Sequence, residues 1–427
     1  MRFQALPFFA VAAFIALGFF AVAPANEADD TVIKIVSSLP RTGSAKGQTD
    51  TIVDGIRLAF DEECTIERID NKDIRKLKVG DKTLTLLYSD LDDATAAAGQ
   101  WTAEQETSNA KLAVGDPNVM VYIGTYNSGA AKISMPILNA EHMLMISPAN
   151  TSPGLTKPNV GERDEPKRYR PSGEPNFCRV VATDDLQGPA GAEWAKSMEL
   201  NRVYILDDNE VYGKGVADFF ESHGRVIGLE ILGRQSIDAK SQEFSALMTK
   251  IKRLNPQMIY FGGTTQTKAG QIAKDMVGAG MTDVKMMAPD GCYEQVMIKE
   301  AGPRVLEGRF FATFCGLSPD KLSDTPGGQK FMDSYARKFG KPPTEAYALY
   351  GYECGRVAIE AIRKAGKKDR AAICKAGMGI RDFNGVTGKW SFDENGDTSV
   401  KDLTGVKVQN GDFAFAKALT VTMTKAP

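Results

Sequence analysis

Short runs of β-branched and aromatic residues alternate with helical stretches along nearly the whole chain, and no other feature restricts its fold as much. Residues 32–38 (VIKIVSS) read as a strand, and after a glycine-containing loop residues 49–63 place Ile52, Ile56, Ala59 and Phe60 at helical spacing. Residues 83–88 (TLTLLY) form the next strand, 90–93 supply N-cap chemistry, and 94–115 read as helix. Strand 119–123, helix 127–140 and strand 143–147 follow. A segment at 153–175 with five prolines and three glycines interrupts the rhythm and reads as a long loop. Strands at 202–206, 226–232, 258–262, 284–288 and 309–313 then alternate with helices starting at 213, 242 and 267. Residues 328–340 and 344–379 are mostly helical, and 387–392 and 403–409 are strand-like. This pattern predicts parallel sheets covered by helices, and 427 residues at 43% hydrophobic exceed what one core serves, so two α/β units are expected.

The N-terminus has one arginine, an apolar run at 6–22 and small residues at Ala21, Ala23 and Ala25. That is a signal-peptide layout with cleavage after Ala25, and the run is short for a spanning helix. Export is therefore expected, and it permits disulfides among Cys64, Cys178, Cys292, Cys315, Cys354 and Cys374. Charges nearly cancel, at 52 Lys+Arg against 54 Asp+Glu, so a nucleic-acid footprint is absent.

Tests for catalysis give nothing. GTYNSGAAK (124–132) imitates a phosphate loop but lacks the lysine and hydroxyl that would contact phosphate and magnesium, and no GxGxxG follows the first strand. GxSxG, HExxH and CxxC are missing, and there are only two histidines. Asp393–Asp397 resembles the start of a calcium loop without its terminal glutamate, which favours a turn. No enzyme activity, metal or cofactor is expected.

Hydrogen-bonding groups do recur at strand ends. Asn127-Ser128-Gly129 and Ala149-Asn150-Thr151 offer hydroxyls and N–H groups beside helix starts, which suits a carboxylate. Asp290 is a single acid after a strand, placed to hold a cation, and Tyr212 and Tyr347 offer apolar walls with polar tips. Taken singly, Ser128 and Thr151 are equally well N-caps and Asp290 a turn former. Together they complement a zwitterion.

The ordered motifs LPRTGSAKGQ, DGIRLAF, IGTYNSGAA, MISPANTSP, FCRVVATDDLQGPA, ILDDNEVYGKG, YFGGT, APDG and GVTGKWSFDENGD resemble the branched-chain amino-acid (Leu/Ile/Val) binding proteins of ABC importers. The resemblance covers nearly all of the chain after residue 25. It implies a type I periplasmic binding-protein fold: two doubly wound parallel-sheet lobes joined by a three-segment hinge, with the ligand in the cleft. Lobe 1 would comprise 26–179 and 314–386, and lobe 2 180–313 and 387–427. By the same resemblance Ser128, the backbone of Ala149, and the hydroxyl and N–H of Thr151 would bind the ligand carboxylate. Tyr212 would approach from lobe 2, Asp290 would hold the ammonium, and Tyr347 would line the side-chain pocket.

Two departures bear on specificity. Lys46 and Thr264 stand where Leu/Ile/Val binders place aromatic residues, which points to a ligand with a polar or anionic group that Lys46 could meet, unless Lys46 is a solvated surface residue. The expected partners are an amino acid or related small carboxylate and the permease membrane subunits, with the protein itself a monomer. Alternatives are an aromatic acid, dicarboxylate or amide ligand, or a sensor role. Cys292 with Cys315 and Cys354 with Cys374 are the expected disulfides.

Overall fold

The computed structural model describes residues 29–421; the expected signal peptide, 1–25, lies outside the described residues. Strands β1 (Val32–Leu39), β2 (Thr65–Ile69), β3 (Lys72–Val79), β4 (Lys82–Asp92), β5 (Val119–Gly124), β6 (Leu144–Ser147) and β7 (Phe177–Arg179) form one sheet in the order β2-β3-β4-β1-β5-β6-β7. A second sheet begins with β8 (Arg202–Asp207), β9 (Glu230–Ser236), β10 (Met258–Gly262), β11 (Lys285–Ala288) and β12 (Phe310–Phe314). After a separate hairpin of β13 (Phe383–Gly385) and β14 (Gly388–Trp390), it is completed by β15 (Leu403–Gln409) and β16 (Asp412–Leu419), in the order β16-β15-β12-β11-β10-β8-β9. The result is a two-lobed α/β molecule with helices packed on mostly parallel sheets.

Sequence explains where each strand sits. The central strands β5, β6 and β10 (VMVYIG, LMIS, MIYFG) are buried throughout, as parallel strands covered on both faces require. At the edge, β2 (TIERI) is exposed at every residue and pairs only with β3. Both sheets end in antiparallel strands, β2–β3 in the first and β15–β16 in the second, where the alternation had suggested only parallel pairing. The β2–β3 hairpin is charged and mostly exposed, so it carries little hydrophobic periodicity to read.

The helix Ala348–Ala365, far along the chain, returns to the first lobe and packs on the helix Lys46–Glu63. The contact is backbone to backbone: a Cβ on Gly55 would lie 2.2 Å from the Ala348 carbonyl, and one on Gly351 2.2 Å from that of Ile52. Only glycine permits this approach.

Two local expectations change. The helix expected at 94–115 runs Ala103–Gly115 with Thr102 as its N-cap, because Asp92 accepts the N–H groups of Arg41 and Ala94, each at 2.8 Å, and holds the preceding residues in a loop. The expected disulfides are absent, and all six cysteines are free thiols. Cys292 and Cys374 instead aim their sulfurs at the carbonyls of Gly263 and Pro175, at 3.4 and 3.8 Å, so neighbouring elements do not bring the expected pairs face to face. Burial pushes the Cys64 thiol up to about 11 and the Cys374 thiol up to about 12, which leaves both protonated. Asp393–Asp397 does form a turn, in which Asp393 Oδ1 accepts the N–H groups of Asn395 and Asp397.

Candidate functional site

Ligands of open parallel sheets bind beyond the carboxyl ends of the strands. Here the loops at those ends meet between the lobes: Tyr126, after β5, donates its hydroxyl to Glu294 Oε1 at 2.6 Å, and Asn127 Nδ2 donates to Gln266 Oε1 at 2.9 Å. They bound a small cavity, about 20 Å³, lined by Tyr126, Asn127, Ser128, Ala149, Tyr212, Thr264, Asp290, Gly291 and Tyr347. A neighbouring cavity of about 10 Å³ shares Asn127, Ser128, Tyr212 and Thr264 and extends to Trp101 and Asp208.

The first lobe contributes a braced ledge. Ser147, the last residue of β6, accepts the N–H groups of Ala149 and Asn150 at 3.1 and 2.8 Å and donates to the Thr125 carbonyl at 3.0 Å. Asn150 donates to the Tyr126 carbonyl at 3.0 Å, tying the two strand-end loops together. Beneath them Arg179, fully buried at the end of β7, donates to the carbonyls of Asn150 and Ser152 at 2.9 and 2.8 Å and to Asp397 Oδ1 at 2.7 Å. Burial alone would raise the Asp397 carboxyl, but Arg179 and Lys157 hold it below its ordinary value. Ser128 opens the helix Ser128–Ala140, so its hydroxyl and the helix N-terminus face the cavity side by side.

The second lobe contributes an acid under tyrosines. Asp290 follows β11 in a single turn, 3% exposed. Tyr212 donates to its Oδ1 at 2.6 Å, and Tyr347 donates to its Oδ2. Burial raises the Asp290 carboxyl, and these hydroxyls together with Gln187 act to lower it. Gly291 has to be glycine: a Cβ there would lie 2.8 Å from Thr264 Cγ2 and 2.9 Å from Tyr212 Cε1. Glu294, one turn on, is wholly buried; burial pushes its carboxyl up to about 7 against the hydroxyls of Thr265 and Tyr126. Among the described residues, no lysine or arginine lines the cavity.

Of the eight residues singled out from sequence, Ser128, Ala149, Tyr212, Thr264, Asp290 and Tyr347 line this one cavity. Thr151 is fully buried behind the ledge, where its carbonyl accepts the Asp184 N–H at 2.9 Å. Lys46 is elsewhere: its side chain is 55% exposed and pairs with Asp50 at 2.7 Å, one helical turn on. The expectation that it meets an anionic ligand group is corrected to the solvated alternative. Ala149 also differs, since its N–H is taken by Ser147 and only its carbonyl, an acceptor, remains for a ligand. Sequence reasoning missed Tyr126, Glu294 and Arg179. Tyr126 stands beside the Asn127-Ser128 pair and could have been found there; the other two act through partners 168 and 218 residues away. Residues 153–175 line none of this cavity and instead border a wider groove with the helix Val211–Val226, among Lys132, Glu162, Lys214 and Asp218.

Residues 32–412 match the family described as periplasmic binding protein. The chain is 27% identical over 399 residues to the Leu/Ile/Val-binding protein BraC3 of Rhizobium johnstonii, covering 93% of this chain and 96% of that one. It is 26% identical over 302 residues to the leucine-, isoleucine-, valine-, threonine- and alanine-binding protein of Pseudomonas aeruginosa, covering 70% and 74%. Among solved structures, the leucine-binding protein LivK of Thermotoga maritima superposes with a TM-score of 0.75 at 26% identity, over 91% of this chain and 99% of that one. A solute-binding protein of R. palustris in complex with benzoate shares the fold, with a TM-score of 0.72 at 16% identity over 92% and 98%.

Proposed function

Because the chain belongs to the periplasmic binding protein family, whose members bind substrates rather than transform them, we propose that it captures an α-amino acid in the interlobe cavity and delivers it to an ABC permease. The observation that carries this reading is the pairing, in one enclosed space, of a neutral donor ledge with a buried carboxylate: Ser128 and the helix N-terminus on one side, Asp290 on the other. The ledge accepts the carboxylate of the ligand. Asp290 and the Ala149 carbonyl, both acceptors, take the ammonium.

The cavity walls narrow the side chain. Tyr126 stands edge-on to Tyr347, ring centroids 5.9 Å apart, and supplies aromatic surface that Lys46 and Thr264 do not. With no cation at the wall, an anionic side group has no partner. The reading is a small, uncharged amino acid, the class that the names of the Rhizobium and Pseudomonas relatives state for those proteins. Closure is favoured by contacts that exist only when the lobes meet, here those from Tyr212 and Asp290.

A second reading is an aromatic acid, favoured by the three tyrosines at the cavity and by the fold shared with a benzoate-bound protein. Asp290 opposes it, since an unpaired carboxylate facing a carboxylate is costly. A thermal-shift screen of the mature protein against amino acids, aromatic acids and dicarboxylates tests both. The expected result is stabilisation by small uncharged amino acids; stabilisation by aromatic acids alone discards the first reading.

A further inference from the structure

Directly behind Asp290 lies a cluster that the binding scheme above does not use. Asp184 is the first residue of the helix Asp184–Ser197, reached from β7 through 180–183. It is 1% exposed, and neither of its carboxylate oxygens has a hydrogen-bond partner among the described residues. One of those oxygens, one oxygen of Asp290 and Cys315 Sγ lie within 4.8 Å of one another. Thr151 Oγ1, Gln187 Oε1 and Thr313 Oγ1, all buried, also lack partners. The Thr151 hydroxyl faces Asp184, outside hydrogen-bonding geometry, and Gln187, a turn along the helix, faces Asp290 while donating to the Thr313 carbonyl at 3.3 Å. Acceptors dominate, and they converge on the residue proposed to hold the ammonium.

We propose that Asp184 is the second carboxylate of the cation seat, so that Asp184 and Asp290 together select ligands carrying a charged amino group. The inference rests on the proposed function, because it takes the amino group to sit at Asp290. Its physical basis is that two carboxylates this close, out of water, do not both ionise unless a cation joins them.

The surroundings identify which group carries the proton before the ligand arrives. Burial first, and then the charge of Asp290, push the Asp184 carboxyl well above its ordinary value; Asp185 adds to this, and Thr151 and Arg179 oppose it. Arg179 is occupied by Asp397 at 2.7 Å. From the other elements, Cys315 after β12, Tyr260 on β10, Tyr212 and Tyr347 all have pKa values pushed well up by burial and are neutral. Asp290 has two tyrosine donors and Asp184 has none, so the proton resides on Asp184. When the ligand ammonium docks on Asp290, its positive charge offsets the repulsion between the two carboxylates, and the Asp184 proton leaves to solvent.

The test is calorimetry of the EDTA-treated mature protein and of Asp184→Asn, with L-leucine and L-valine and with their amine-free counterparts isocaproate and isovalerate, each in two buffers of different ionisation enthalpy at neutral pH. The wild type should release up to about one proton per amino acid bound, as linkage requires of a group that gives up its proton on binding. Asp184→Asn should release none and should bind the amino acid roughly tenfold or more weakly, one pKa unit of lost interaction being a factor of ten. Its melting temperature should equal or exceed that of the wild type, since an amide is buried without the proton uptake that Asp184 requires on folding at neutral pH, which separates loss of the seat from a folding defect. Unchanged affinity and proton count in Asp184→Asn overturn the inference and leave the proposed function standing. Loss of amino-acid binding on EDTA treatment overturns it in favour of a metal ion at the seat. Binding of the amine-free acids but not the amino acids overturns both readings.

Discussion

The two walls of the cavity solve opposite problems. The ledge of the first lobe is satisfied before any ligand arrives: Ser147, Asn150 and Arg179 use their donors and acceptors on the backbone that forms it. The acid wall of the second lobe is hydrogen-bonded at Asp290 and Glu294 but carries no compensating charge, since Asp290, Glu294 and Asp184 are all buried with carboxyls raised by that burial. The ledge is preorganised and can receive a carboxylate without rearrangement. The acid wall stores unfavourable electrostatics that a cation relieves. The proposed function then implies an order of events: the ligand docks on the first lobe, and closure is driven by what its ammonium does for the second.

The most severe way to break this contrast is Asp290→Ala. Removing one partner of a buried charge contact costs about 2–5 kcal/mol, so amino-acid affinity measured by calorimetry should fall accordingly. Ser128→Ala, on the wall that is already satisfied, removes one hydrogen bond to a charged group, worth about 1.5–3 kcal/mol. If Ser128→Ala proves the more damaging, the driving wall has been assigned wrongly.

Bracing of the ledge is tested next through stability. Asp397→Ala leaves Arg179 buried and unpaired, which should cost about 3–5 kcal/mol in denaturant unfolding. The carboxyl of Asp397 is held below its ordinary 3.8 in the fold, so its contribution is present above that pH and is lost as pH falls further through its folded value. The loss of stability below pH 3.8 should therefore be shallower in Asp397→Ala.

Glu294 and Glu345 sharpen the comparison from the other wall. Glu345, whose carboxylate accepts the Gln295 N–H at 3.2 Å, is pushed up to about 8 by burial and then by Glu294, itself raised to about 7. A raised acid favours the folded state while protonated. The contribution of these two groups to stability should therefore be most favourable below the ordinary 4.5 and should weaken as pH climbs toward 7 and 8. Denaturant unfolding at a series of pH values should show this slope, and Glu294→Gln should flatten it. The smallest effect is expected from Lys46→Ala, where an exposed pair with Asp50 is worth at most about 1 kcal/mol and ligand affinity should not change.

Much of this was visible in the sequence. The alternation of strands and helices located both sheets, and the strand ends led to Ser128, Ala149 and Asp290, because those residues lie next to the elements that position them; Thr264 came from the family resemblance. What escaped notice depends on distant partners. Asp184 reads as an ordinary first-turn acid until the fold sets it against Asp290, and Arg179 as a strand-end charge until Asp397 arrives from 218 residues on. Lys46 misled for the opposite reason. A family position was carried over to it, while the local i, i+4 spacing to Asp50 already offered it a solvent-side partner.

The central claim is that the acid wall recognises an amino group. Calorimetric titration of the wild-type mature protein with L-leucine and with isocaproate, which differ only in that group, tests it most directly. The account expects L-leucine to bind more tightly by about the 2–5 kcal/mol of a buried charge contact. Equal binding, or tighter binding of isocaproate, would contradict it.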